Sequence, residues 1–298
     1  MLKFIKLFRF QNLLMLAIML LVFHFGFLKL QNIPLALKDW EFLLFILATL
    51  FVFAAGFLMN DIIDFENNAE NSIIGTTISE TNANTIYIIL NLVGVGIGFY
   101  LSNTIGKPSF ASLFIISAVI NYYTVSTLEK NSILGFFLKA LLPAISIISI
   151  GMFDIIPILN QENTLLMLLL FRILLDYTIF TFLMYLIIEI VQNISIEKTS
   201  FDSESNWFLN TKTAFLLCGL VLLGCLFYIY NYLFISNLYA SVLYIIITIV
   251  SPLLYLMIQL LSAKTEKEIQ YLPIISRLLF FFGVLSILVI SLNMKHYV

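Results

Sequence analysis

One polar stretch of this chain combines carboxylate and amide side chains densely. Residues 60–70 read NDIIDFENNAE and directly follow an apolar run that is long enough to cross a bilayer. If the helix continues, Asp61, Asp64 and Asn68 share one face, because they are spaced i, i+3 and i+7. Oxygen ligands grouped in this way suit Mg²⁺, which binds phosphates through one or two carboxylates. The stretch predicts a magnesium–diphosphate site at the membrane surface, with Asn60 as a further oxygen donor.

The same stretch has a plainer interpretation as a solvated helix end that Asn and Asp side chains cap. Spanning a membrane does not require such a cluster, and each charge is costly near the hydrocarbon. We therefore favour the metal site over the cap.

The composition places the elements around this stretch in a membrane. Hydrophobic residues make up 61% of the 298 residues and charged residues only 11%, and the mean hydropathy is +1.05. Soluble domains are about half apolar and about a quarter charged, so the chain is predicted to be a polytopic membrane protein. The net charge of −2 provides no basic field, which argues against nucleic acid as a partner.

Apolar runs of membrane-spanning length predict an all-α fold of nine transmembrane helices around a central cavity, in a single domain over residues 1–298. The predicted spans cover residues 12–29, 41–60, 84–103, 108–127, 132–152, 164–191, 212–231, 237–262 and 273–293. Lys and Arg are more frequent in the connections on the side of the N-terminus, so we expect the N-terminus in the cytoplasm and the C-terminus outside. Both long polar connections, which follow the second and sixth helices, then face the cytoplasm.

These features together resemble the UbiA superfamily of intramembrane prenyltransferases over nearly the whole chain. The resemblance rests on nine helices, on the NDxxD motif of Asn60, Asp61 and Asp64 after the second helix, and on a second polar segment after the sixth. Residues 4–14 resemble the opening "lirxxNxl" stretch of the family, and residues 73–79 resemble the segment after its first motif. The bacterial geranylgeranylglycerol-phosphate synthase-like branch is the most similar.

The chain departs from the family pattern in both motifs. Asn68 stands where the first motif ends in Asp, and the basic Lys-Pro-x-Arg stretch that usually follows is missing. In the second motif only Glu189 remains as an acid, while Asn193 stands at the first aspartate position and Glu197 lies nearby but off register. Glu189, Asn193 and Glu197 are spaced i, i+4 and i+8, which follows one helix face, but an amphipathic helix end has the same pattern.

The resemblance implies Mg²⁺-dependent transfer of a prenyl group from an isoprenyl diphosphate to a lipid or small polar acceptor. Asp61, Asp64 and Asn68 would hold the metal, and Asn60, Glu189, Asn193 and Glu197 would complete the substrate site. Lys139 lies in the cytoplasmic half of the fifth helix, where it can either reach a diphosphate or extend to the interface.

Two alternatives follow from the degenerate motifs. The chain would then be a noncatalytic protein that binds an isoprenoid or lipid, or a subunit that joins membrane protein partners. A small transporter is a weaker alternative, because its broken helices would depend on Pro143 and Pro252. Inside the sixth helix, Arg172 and Asp176 are predicted to form an i, i+4 ion pair, since isolated charges are costly there.

Overall fold

A computed structural model describes residues 8–66, 74–75, 78–128, 132–160, 164–196, 206–262 and 269–297. Within these ranges, nine helices are long and apolar enough to cross a membrane. In chain order they are α1 (Phe10–Gln31), α2 (Asp39–Glu66), α3 (Glu80–Thr104), α4 (Pro108–Ser126), α5 (Ile133–Ile158), α6 (Thr164–Ile194), α7 (Thr213–Ile235), α8 (Tyr239–Ser262) and α9 (Leu272–Lys295).

The nine predicted spans and the all-α polytopic membrane fold are confirmed. Each predicted span overlaps one observed helix, and the ends differ by a few residues because polar residues extend several helices beyond the apolar run. Two helices contain a π-helical segment, His24–Leu28 in α1 and Ile246–Val250 in α8. The second segment lies directly before Ser251 and Pro252. Proline has no backbone N–H, so it cannot donate the hydrogen bond that a regular helix requires at this position.

Small residues allow α2 to pack closely against its neighbours α3 and α4. A Cβ atom on Gly94 of α3 would lie 2.9 Å from the backbone oxygen of Ala48 in α2. A Cβ atom on Gly56 of α2 would lie 2.5 Å from the side chain of Asn121 in α4. That side chain donates a hydrogen bond of 3.3 Å to the Val52 carbonyl, so a polar contact also joins α2 and α4.

The remaining helices complete a bundle around α1 and α6. The helix α1 packs against α2, α5 and α9, and α6 packs against α5, α7 and α9. Because successive helices cross the membrane in opposite directions, the starts of α1, α5 and α9 lie at the same end as the ends of α2 and α6. This end carries most of the predicted site residues.

The predicted ion pair between Arg172 and Asp176 is wrong. Both side chains are exposed on α6, and no ion pair joins these two described residues. The prediction rested on the cost of isolated charges within the membrane. In the structure both residues lie on the outer face of α6, as does Leu165, which is 87% exposed.

Candidate functional site at one end of the bundle

The end of α2 presents the first group of polar side chains. The apolar side of this helix is buried down to Leu58 and Ile62, and this burial turns Asn60, Asp61 and Asp64 toward partly accessible positions. The Asn60 Nδ2 atom donates a hydrogen bond of 3.2 Å to Asp64 Oδ2. The Asp61 carboxylate interacts electrostatically with Asp64.

Arg9 brings a positive charge to these carboxylates from the start of α1. Its backbone is left-handed, with φ of 45°, and its carbonyl accepts the first hydrogen bond of the helix from Asn12 N at 2.8 Å. The guanidinium lies over the ring of Phe57, 5.5 Å from the ring centroid, in a cation–π contact. From this position Arg9 interacts electrostatically with both Asp61 and Glu189, so its charge acts on the acids of α2 and α6.

The second group of polar side chains joins α5 to α6. Lys139 Nζ of α5 lies 3.9 Å from Glu189 Oε2 of α6. Arg277, at the start of α9, also interacts electrostatically with Glu189. Asn193 lies one turn beyond Glu189, and its buried Nδ2 atom has no hydrogen-bond partner in the described part of the chain.

A narrow cleft with a cavity volume of about 20 Å³ opens beside these groups, which is room for about one water molecule. Five helices contribute its walls: Asn12, Met15 and Leu16 from α1, Phe53 and Phe57 from α2, Pro143 from α5, Tyr185, Ile188 and Gln192 from α6, and Arg277 and Phe280 from α9. The lining combines aromatic rings with a few polar groups. That combination is typical of small-molecule sites.

The charged groups form a rim one helical turn from the cavity lining. Asp61 follows Phe57 by four residues, Glu189 follows Tyr185 by four, and Lys139 precedes Pro143 by four. Residues four apart share a helix face, so each charged residue lies above a lining residue on its own helix. This arrangement suits an amphiphile whose charged head group contacts the rim and whose apolar chain contacts the aromatic lining.

The site fits one metal ion better than two. Asp61 and Asp64 provide two carboxylates on one side, which is enough for Mg²⁺ when phosphate oxygens and water supply the other ligands. On the α6 side Glu189 is paired with Lys139, and no group of three or more His, Cys, Asp or Glu residues within the described ranges is arranged to hold a metal. The α2 half of the site therefore offers two carboxylates to a metal ion, whereas the α6 half offers one carboxylate that is already paired with a lysine.

The structure brings Asn60, Asp61, Asp64, Lys139, Glu189 and Asn193 to one end of the bundle. Asn68 and Glu197, also predicted as site residues, lie outside the described residues. Sequence reasoning assigned no site role to Arg9, Gln192 or Arg277. The two arginines could have been found from the sequence. Arg9 precedes α1 and Arg277 lies near the start of α9, and both helices start on the side where α2 and α6 end.

The fold and the rim together define a multi-pass α-helical membrane protein with a polar site at one end. A solved structure of digeranylgeranylglyceryl phosphate synthase is similar to this chain, with a TM-score of 0.62 and 15% sequence identity, and the match covers 97% of each chain. Comparison with protein-family models gives no match. Comparison with curated proteins gives none either. The chain thus shares the fold of that membrane-embedded synthase.

Proposed function

We propose that this protein belongs to the UbiA superfamily and transfers a prenyl group from an isoprenyl diphosphate to a lipid or small polar acceptor. The observation that carries the proposal is the arrangement of Asp61, Asp64, Lys139 and Arg9 above an aromatic cavity. The fold shared with digeranylgeranylglyceryl phosphate synthase supports the same reaction class.

The two parts of the site match the two parts of such a substrate. The diphosphate would lie at the rim, and the prenyl chain would enter between Phe53, Phe57, Tyr185 and Phe280, whose side chains would have to move apart to admit it. Aromatic faces stabilise an adjacent cation, which suits the allylic carbon as it separates from the diphosphate. The apolar walls also keep water away from that carbon.

Asp61 and Asp64 would hold Mg²⁺, with Asn60 orienting Asp64 through its hydrogen bond and Asn68 as a further predicted ligand. When bound, the ion would neutralise charge on the departing diphosphate. Lys139 would face the same phosphate oxygens from α5. Substitution of either aspartate should therefore affect metal-dependent chemistry more than it affects folding.

We further propose that the rim faces the cytoplasm, with the N-terminus inside and the C-terminus outside. The excess of Lys and Arg in the connections at the end of the bundle that carries the rim supports this orientation.

A noncatalytic lipid-binding protein, or a subunit of a membrane assembly, is the second candidate. The Lys139–Glu189 pair favours it, because it engages the acid that remains in the second motif. The two candidates differ in whether diphosphate is released.

The deciding experiment uses the full chain purified in detergent, with geranylgeranyl and farnesyl diphosphate as donors and an extract of membrane lipids and small polar metabolites as the source of acceptor. Release of diphosphate that requires Mg²⁺, Asp61 and Asp64 supports the transferase. Binding of the donor without release, with and without Mg²⁺, contradicts the transferase and supports the lipid-binding protein.

A further inference from the structure

The environment of Glu189 is dominated by positive charge. Its side chain is 18% exposed, and that of Lys139, 3.9 Å away, is 31% exposed. Arg9 and Arg277 also act on the carboxylate electrostatically. One anion on α6 thus interacts with three cations, which come from α5, from α9 and from the residue before α1.

This environment is unsuited to a second divalent cation. A metal ion bound by Glu189 would have to displace Lys139 and would be repelled by both guanidinium groups. With one carboxylate and three cations, the α6 half of the rim has an excess of positive charge, and such an excess attracts anions. Guanidinium groups in particular bind phosphate oxygens through paired hydrogen bonds.

Arg277 has donor capacity available for such an anion. It lines the cavity, and its buried Nε atom has no hydrogen-bond partner among the described residues. The side chain of Gln192 lines the same cavity, and the next residue in the sequence, Asn193, has a buried Nδ2 atom that lacks a partner among the described residues. A bound phosphate group would supply oxygen acceptors to these donors, which are otherwise costly to bury.

Arg9 links this half of the rim to the α2 half. It interacts electrostatically with both Asp61 and Glu189, so the charge of one guanidinium acts on both halves of the rim. Across the whole rim, three acids (Asp61, Asp64 and Glu189) face three bases (Arg9, Lys139 and Arg277). One divalent ion beside the aspartates leaves the rim with a positive charge that a diphosphate neutralises.

We propose that the α6 half of the rim binds a phosphate group directly through Arg277, Arg9 and Lys139, and that Glu189 is their counter-ion rather than a metal ligand. The inference rests on the proposed function in one respect, since the diphosphate of an isoprenyl donor is the anion that this subsite would receive. Arg9, Lys139 and Arg277 would then provide the positive charge that the family's Lys-Pro-x-Arg stretch, missing from this chain, provides after α2.

The test measures binding of inorganic pyrophosphate to the full chain in detergent by titration calorimetry, once with EDTA and once with Mg²⁺. We expect binding in EDTA that Mg²⁺ strengthens. Arg277→Met should weaken binding in EDTA about tenfold or more, because a charge-assisted hydrogen bond contributes roughly 1.5–3 kcal/mol. Arg172→Met is the matched control, since this exposed arginine of α6 lies outside the rim, and it should leave binding unchanged.

Glu189→Gln distinguishes a counter-ion from a metal ligand by the sign of its effect. Removal of a counter-ion releases Lys139 and the arginines, so pyrophosphate should bind more tightly than to the wild type, both in EDTA and in Mg²⁺. Removal of a metal ligand would weaken binding in Mg²⁺ and leave binding in EDTA unchanged. Thermal unfolding of each variant checks that it is folded, and Arg277→Lys provides a second, conservative variant that should retain part of the binding.

The inference is overturned if pyrophosphate binds only in Mg²⁺, if Arg277→Met binds like the wild type, or if Glu189→Gln weakens only the Mg²⁺-dependent binding. Donor turnover, measured on the same preparations, separates this inference from the proposed function. Turnover combined with wild-type binding by Arg277→Met leaves the transferase standing and removes the subsite. Arginine-dependent binding without turnover supports the subsite and contradicts the transferase.

Discussion

His24 Nδ1 lies 2.7 Å from Asp154 Oδ2, and both side chains are fully buried at the end of the bundle opposite the candidate site. The imidazole ring stacks on Phe42, with the ring centroids 3.6 Å apart. Asp154 also binds the connection between α1 and α2, because its Oδ1 atom accepts from Leu37 N and its carbonyl accepts from Ala36 N. The pair therefore fixes α1, α5 and the α1–α2 connection to one another.

Asp154→Ala should reduce the free energy of unfolding by about 3 kcal/mol. The substitution leaves the buried His24 and the Leu37 N–H without their partner, and a buried polar group without a partner is strongly destabilising. Denaturant unfolding in mixed micelles, followed by Trp fluorescence, measures the change.

The matched control is Asp39→Ala, which removes an exposed ion pair with Lys29 at the same end of the bundle. Exposed pairs contribute roughly 0–1 kcal/mol, so the control should stay close to the wild type. Equal losses in the two variants would show that the buried pair has no special role.

Gly98→Ala should destabilise the protein by about 1–3 kcal/mol through overpacking. The new Cβ atom would lie 2.3 Å from the ring of Phe114. That ring cannot move aside easily, because it is buried against the rings of Phe45 and Phe153. Thermal unfolding in detergent provides the measurement.

Gly96→Ala on the same helix is the control, since no atom lies within 4 Å of the position of its Cβ. Alanine is a better helix former than glycine by roughly 1 kcal/mol, so this variant should be neutral or more stable. A loss of stability in Gly96→Ala as large as that in Gly98→Ala would show that the contact with Phe114 is not the cause of the effect.

Asp61→Asn and Asp64→Asn should each lower Mg²⁺-dependent release of diphosphate by about a hundredfold or more. A bound divalent ion contributes several kcal/mol of charge stabilisation, and each 1.36 kcal/mol corresponds to about a factor of ten in rate. Glu66→Gln is the control, because Glu66 is an exposed acid at the end of the same helix. Unchanged release by both aspartate variants would remove the metal site from this end of α2.

Cysteine labelling tests the proposed orientation. In a background in which Cys218 and Cys225 are replaced by Ala, Lys107→Cys should react with a membrane-impermeant maleimide in intact cells. Lys107 is exposed in the connection between α3 and α4, at the end opposite the rim. Glu66→Cys should react only after permeabilisation. The reversed pattern would place the rim on the outer face of the membrane.

The nine helices were predictable from the sequence because a membrane span is a local property. The bilayer requires about twenty apolar residues in a row, and each span meets that requirement without reference to the rest of the chain. The polar end of α2 was predictable for the same reason, since Asn60, Asp61 and Asp64 are neighbours in the sequence.

Relationships between distant residues required the tertiary structure. Lys139, Glu189 and Arg277 belong to three helices and Arg9 precedes a fourth, and only the packing of α1, α5, α6 and α9 brings the three positive charges to bear on the Glu189 carboxylate. The packing also decides which helix faces are covered, and it leaves Arg172 and Asp176 on an exposed face of α6. Hydropathy and spacing determine which segments cross the membrane and where polar groups lie along each helix. The direction that each helix face takes depends on contacts between helices, and those contacts decide whether Glu189 meets a metal ion or a lysine.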